Sequence, residues 1–167
     1  MSVPDFWFDF EVFSALNLKT EGTFTYAADA STRAIVLAYA IGDGPAHAWH
    51  ADGAILDWEY APDDLRAAYD HDGTGAAWNA TFDSAIWNFA TLSFPLLVPE
   101  RVIDPMIQAI VSNLPGDLES ASRMLGGEGK QTDGKKLIRM FCIEGAKPED
   151  HPEAWQRFFP TPAGMSK

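Results

Sequence analysis

Two acids interrupt a run of aromatic and aliphatic residues near the start of the chain. In "DFWFDFEVFS", residues 5 to 14, Asp9 and Glu11 stand one residue apart among Phe8, Phe10, Val12 and Phe13. Such a run predicts a strand buried on at least one face. Side chains at i and i+2 of a strand share a face, so the two carboxylates stand side by side. Like charges that close raise each other's pKa unless a cation lies between them. Hard oxygen donors select magnesium or manganese over zinc. The chemistry on offer is a ligand pair for a small divalent cation. An isolated Asp-x-Glu also has a plainer explanation, with one acid capping a loop and the other facing solvent.

A second stretch adds a third donor. "WNATFDSAIW", residues 78 to 87, puts Asn79 in a loop and Asp83 on the first turn of the helix that follows. Alone, Asp83 suits the positive end of a helix; beside Asp9 and Glu11 it supplies a third hard ligand. Other chemistries lack their residues. There is no Cys pair and no His-Glu-x-x-His for zinc, and His47, His50 and His71 are scattered, as surface positions would be. "GGEGKQT", 126 to 132, misses the spacing of a phosphate loop and reads as a helix C-cap and surface loop. No Gly-x-Ser-x-Gly elbow occurs.

The acids need a sheet and a helix to hold them. Residues 4 to 13 read as the first strand and "TRAIVLAYAI", 32 to 41, as the second. The turn "GDGP" then leads into "AHAWHA" as a hairpin partner. "LNLKTEGTFTYAADAS", 16 to 31, reads as an irregular excursion. "APDDLRAAYDHD" predicts a short helix behind Pro62, and "GAAWNA" a strand of small residues. "TFDSAIWNFATL", 81 to 92, has helical spacing at Phe82, Ile86 and Phe89, with Thr81 as a candidate cap. "RVID" suggests a fifth strand. "PMIQAIVSN", "DLESASRMLG" and "GKKLIRMFC" suggest three further helices. The proline-rich tail, 143 to 167, predicts one short helix over 152 to 158 and a frayed end. Strands in hairpin order followed by alternating helices and strands predict an α/β fold, a mixed sheet of about five strands with helices on its faces.

Composition sets bounds. The 167 residues suit one domain, and with 47% hydrophobic and 13% aromatic residues there is material for a full core. No run approaches the roughly 18 apolar residues of a membrane span, and the N-terminus has no signal-like basic and apolar regions. The single Cys142 fits a reducing cytoplasm. A net charge of −12 counts against binding a polyanion, but carboxylates loaded with divalent cations reverse the local sign. "KQTDGKKLIR", 130 to 139, offers a small basic strip for phosphates.

"FDFEVFS" followed by "WNATFD" resembles the first two motifs of the proofreading 3′–5′ exonucleases with four acidic residues. The likeness is to the exonuclease domain that heads family A DNA polymerases of phages and prophages. It extends through "LNLKTEGTFTYAADAST", "VLAYAIGDGP", "IDPMIQA", "NLPGDLESASRMLG" and "GKKLIRMFC", covering roughly residues 5 to 142. The resemblance implies a ribonuclease H-like fold and two-metal hydrolysis of the 3′-terminal phosphodiester of DNA. It implies Mg2+ or Mn2+, two ions about 4 Å apart, as cofactor. It also implies a single-stranded 3′ end of DNA as substrate, a polymerase domain or separate polymerase subunit as partner, and the cytoplasm of a bacterial or phage-infected host. Carried over, Asp9 bridges both ions, Glu11 holds the one that activates water, and Asp83 holds the other on the leaving-oxygen side. Main-chain groups at Phe10 and Phe13 would hold the terminal nucleotide, and Asn79 and Phe82 would contact the strand. Trp78 or Trp87 would stack on a base, although core packing is the commoner use of such aromatics. Asp104 matches a position where the family also carries Asp, behind the ligands or capping a helix.

One departure stands out. The family takes a fourth carboxylate from Tyr-x-x-x-Asp or His-x-x-x-x-Asp in a third motif, whose Tyr or His orients the attacking water. Here the tyrosines are at 26, 39, 60 and 69, and the late His151 is followed five residues on by Gln156. Asp150 and Glu153 lie in the right region but in the wrong frame. The chain reads as stopping before the third motif, by truncation or gene decay. Two expectations follow: an exonuclease impaired by the missing ligand, or an inactive exonuclease-fold remnant serving as a binding or accessory module of a polymerase.

Overall fold

Strict alternation along β1 (Phe6–Phe13) organises the sheet. Phe6, Phe8, Phe10 and Val12 are buried, while Trp7, Asp9 and Glu11 are exposed on the opposite face. The computed structural model describes residues 4–51 and 55–127. Within them β1 pairs antiparallel with β2 (Arg33–Ile41), which pairs antiparallel with β3 (His47–His50) through the turn at Gly42. On its other side β1 runs parallel to β4 (Gly75–Ala76), and β4 parallel to β5 (Val102–Ile103). The sheet order is β3-β2-β1-β4-β5. This is the mixed five-stranded α/β sheet expected from the sequence, and its order and strand directions are consistent with a ribonuclease H-like arrangement.

The aromatic face of β1 is covered by α3 (Asp63–Asp70) and α4 (Ala80–Phe89). Trp87 of α4 is fully buried at its centre, with its ring 5.6 Å from Phe8 and 5.8 Å from the stacked ring of Tyr69. Helices α5 (Pro105–Val111) and α6 (Leu118–Met124) follow β5, and α6 comes up beside the face that carries Asp9. α6 ends in a Schellman motif: Gly127 N–H donates to Ser122 O at 2.8 Å and Gly126 N–H to Arg123 O at 3.1 Å, with Gly126 at φ 82°. That agrees with the C-cap reading of this glycine pair. No helix among the described residues is long and apolar enough to cross a membrane.

Three expectations change. Residues 16 to 31 are not irregular throughout but contain α1 (Leu18–Glu21) and α2 (Thr23–Ala28). Asn17 caps α1 by accepting from Lys19 N–H. α2 is fixed by burying Tyr26 and Ala27, with the Tyr26 ring 6.1 Å from Phe82 of α4. Thr81 is not the cap of α4; that helix starts from Asn79, whose φ is 62°. The small-residue strand stops at Ala76, because the chain must turn at Asn79 to enter α4. The expected helices over 134 to 142 and 152 to 158, the basic strip at 130 to 139 and the tail lie outside the described residues.

Gly75 lets β4 approach β1 closely. A Cβ there would lie 2.7 Å from two ring carbons of Phe6 and 2.9 Å from the Phe8 ring, both enclosed in the core. Gly75→Ala should therefore cost about 1–3 kcal/mol through overpacking. The measurement is urea unfolding, with a lowered midpoint and an unchanged slope.

Candidate active site

The pairing of β1 with β4 ends at Trp7 and Ala76. Beyond that point the edge of β1 facing α4 needs other acceptors. Asp83 provides one: Phe10 N–H donates to Asp83 Oδ1 at 3.0 Å, across 73 residues of sequence. The residue whose amide is used lies between Asp9 and Glu11, so Asp83 is held at the edge of β1 level with the two strand acids. On the far side of β1, Asp9 is opposite Ala38 and Glu11 opposite Val36. The methyl of Ala38 leaves room beside Asp9.

The start of α4 is placed by Asp104. Its Oδ1 accepts from Asn79 N–H at 3.2 Å and Met106 N–H at 2.9 Å, and its Oδ2 from Ala80 N–H at 3.0 Å. One carboxylate thus satisfies amides at the N-termini of both α4 and α5, where the helix dipoles favour a negative charge. This matches the capping role considered for Asp104. Asp104→Ala strands three amides and should cost about 1–3 kcal/mol. Thermal unfolding checks this, and Asp104→Asn, which keeps one acceptor oxygen, should lose less.

Asp83 is the buried member of the trio, only 2% exposed. Burial pushes its carboxyl up to about 7; the Phe10 amide opposes this, while the charges of Asp9 and, less strongly, Glu11 raise it further. Both strand acids therefore act on Asp83 electrostatically. A desolvated carboxylate facing two like charges is a place where a divalent cation would relieve repulsion, and an all-carboxylate donor set suits Mg2+ or Mn2+. Among the described residues, however, no three His, Cys, Asp or Glu side chains stand as a closed ion-holding group. Asp83 feels the charge of both strand acids, while of the three only Asp9 lines the neighbouring cleft.

The remaining sequence candidates fall into two groups. Asn79 is exposed at the head of α4. Phe13 is half-buried, with the Arg33 guanidinium 4.9 Å from its ring centroid. Phe82 is also half-buried, and its ring packs toward α2. Phe10 points its ring into the core, and its amide is engaged by Asp83. Trp87 does not meet the expectation of base stacking: it is enclosed in the core and its Nε1 donates to Pro95 O at 2.8 Å. Trp78 is half-buried, with Nε1 donating to Gly116 O at 3.0 Å. It lines a cleft of about 840 Å³ that opens beside Asp9 and includes Trp7, Ala38 and Leu118. Sequence reasoning overlooked Trp7, although it sits two residues before Asp9 in the same alternation. His47, His50 and His71 are exposed, as expected. Asp150, His151, Glu153 and Gln156 lie outside the described residues.

No family model matches the chain. Across 164 aligned residues it is 28% identical to the DNA polymerase of Bacillus phage SP02. The alignment covers 90% of this chain and 24% of that polymerase, so the chain spans about a quarter of the length of the relative it resembles.

Proposed function

We propose that this chain is a 3′–5′ exonuclease domain associated with a DNA polymerase, hydrolysing the 3′-terminal phosphodiester of single-stranded DNA. The observation that carries the reading is the Phe10 N–H bond to Asp83, which draws a buried carboxylate to the strand position between Asp9 and Glu11. The likeness to a phage DNA polymerase supports it. Asp9, Glu11 and Asp83 would hold the divalent cations. Once bound, such ions supply an activated water and stabilise the charge that develops on the departing oxygen. The chain's own groups do the positioning. Phe10 N–H fixes Oδ1 of Asp83, Asp104 fixes the helix start that carries it, and Ala38 keeps the space beside Asp9 open. The cleft next to Asp9 would take the DNA end, with Trp78 and Trp7 offering aromatic surface to bases.

The test is release of label from a 3′-labelled single strand with Mg2+ or Mn2+, compared with a 5′-labelled control. Metal-dependent shortening from the 3′ end is the expected result. Absence of cleavage under both metals would sink the catalytic reading.

A second reading is a non-catalytic accessory module of a polymerase. It is favoured by the lack of a closed ion-holding group among the described residues. On that reading the same assay shows no cleavage, while the chain still binds single-stranded DNA or a polymerase.

A further inference from the structure

A second concave surface lies on the side of α4 away from Asp83. At about 100° per residue, Thr81, Ala85 and Asn88 fall opposite Asp83 on the helix, and all three line a groove of about 430 Å³ between α4 and the segment that runs from Leu96 to Ile107. Four large apolar side chains around this groove remain in solvent: Phe24 is 64% exposed, Phe89 57%, Leu96 69% and Ile107 58%. Among the described residues Asp104 is the one charged side chain in the lining, and its oxygens accept from the three helix amides. On a chain of net charge −12, a surface this poor in charge contrasts with the rest. Contiguous apolar patches of this kind mark interaction surfaces.

We infer that this groove seats the remaining body of the DNA polymerase through apolar contacts, an inference that rests on the polymerase-associated reading above. The similarity covers 24% of the phage polymerase, which leaves about three quarters of such a protein to be packed against a domain like this one. Interfaces between domains typically bury about 600–1,500 Å², and the fully buried core of such a patch is more apolar than its rim. The groove supplies such a core. It also lies across α4 from Asp83, so a body seated there leaves the cleft beside Asp9 open to a DNA end.

The experiment mixes this chain with the separately produced portion of the Bacillus phage SP02 DNA polymerase outside the matched quarter, first shown to be folded by a cooperative melt and by polymerase activity, and follows association by sedimentation velocity and calorimetry. The expected result is a one-to-one complex. Phe89→Asp and Ile107→Asp should each weaken it tenfold or more, while Tyr60→Asp, at an exposed position outside the groove lining, should leave it unchanged. Both groove variants should melt as the parent does, because each changes a side chain more than half exposed. No complex, or a complex indifferent to both variants, overturns the inference. Self-association of this chain alone that the same variants abolish also overturns it, in favour of a second copy as occupant. Cleavage of the 3′-labelled strand is scored separately. A complex without cleavage sinks the catalytic reading alone, and cleavage without a complex sinks this inference alone.

Discussion

Replacing Asp9 with alanine should reduce metal-dependent release of 3′-terminal nucleotides by about a thousandfold or more. The size follows from the role proposed for it. Ligation of catalytic cations contributes several kcal/mol of charge stabilisation in the transition state, and each ~1.4 kcal/mol is a factor of ten in rate. Asp9 is exposed on a strand face, and its neighbours Phe8 and Phe10 anchor that strand independently. The fold should therefore survive the change: unfolding curves of the variant and parent should nearly coincide near pH 4, and at pH 8 the variant should be no less stable, because the Asp9 charge that raises Asp83 is gone. Kinetics with a 3′-labelled single strand give the rate, and Glu11→Ala should act in the same direction. Cleavage that survives Asp9→Ala would come from a contaminating nuclease or a different site, and the exonuclease proposal would lose its support.

Replacing Asp83 with asparagine should raise stability by about 2–4 kcal/mol at pH 8 in the absence of divalent cations. The carboxyl is raised from 3.8 to about 7 by burial and by the charges of Asp9 and Glu11. A group whose folded pKa exceeds its unfolded value favours the folded state when protonated. Its penalty is absent below about pH 4, grows as pH rises towards 7, and is complete above that. Three pKa units correspond to about 4 kcal/mol. Asparagine keeps a carbonyl oxygen for Phe10 N–H and carries no charge to desolvate. The parent should lose stability as pH climbs from 4 to 8, whereas Asp83→Asn should vary less. For a chain of this size the difference at pH 8 is roughly 5–15 °C in melting temperature. Saturating Mn2+ should recover much of it for the parent and little for the variant, because a ligand that binds only the folded state stabilises it. Parallel pH profiles for the two proteins would mean that Asp83 is neither strained nor coupled to the strand acids.

How far the sequence foretold this arrangement depends on the distance between partners. Asp9 and Glu11 on one face needed only the period of a strand, and β1 shows that period without interruption from Phe6 to Glu11. Asp83 on the first turn of a helix was likewise a local reading. The bond that joins the two, Phe10 N–H to Asp83, links residues 73 apart, and no local pattern announces it. The same holds for Asp104, whose partners at Asn79 and Ala80 lie 25 and 24 residues away. Sequence reasoning looked for the cap of α4 at Thr81 because it weighed only nearby side chains. α2 was missed for a related reason: its local pattern is weak, and what orders it is Tyr26 packing toward Phe82 on another helix. For Trp87 the spacing allows either a base-stacking ring or a core residue, the commoner use, and its place in the helix turns it into the core.

The central claim is that Asp9, Glu11 and Asp83 act together as ligands of the divalent cations. Titration of Mn2+ followed by electron spin resonance tests it without requiring cleavage. Bound Mn2+ should appear with the parent and fall at least tenfold in affinity with each of Asp9→Asn, Glu11→Gln and Asp83→Asn. Binding that all three variants leave intact, or its absence from the parent at millimolar Mn2+, would contradict it.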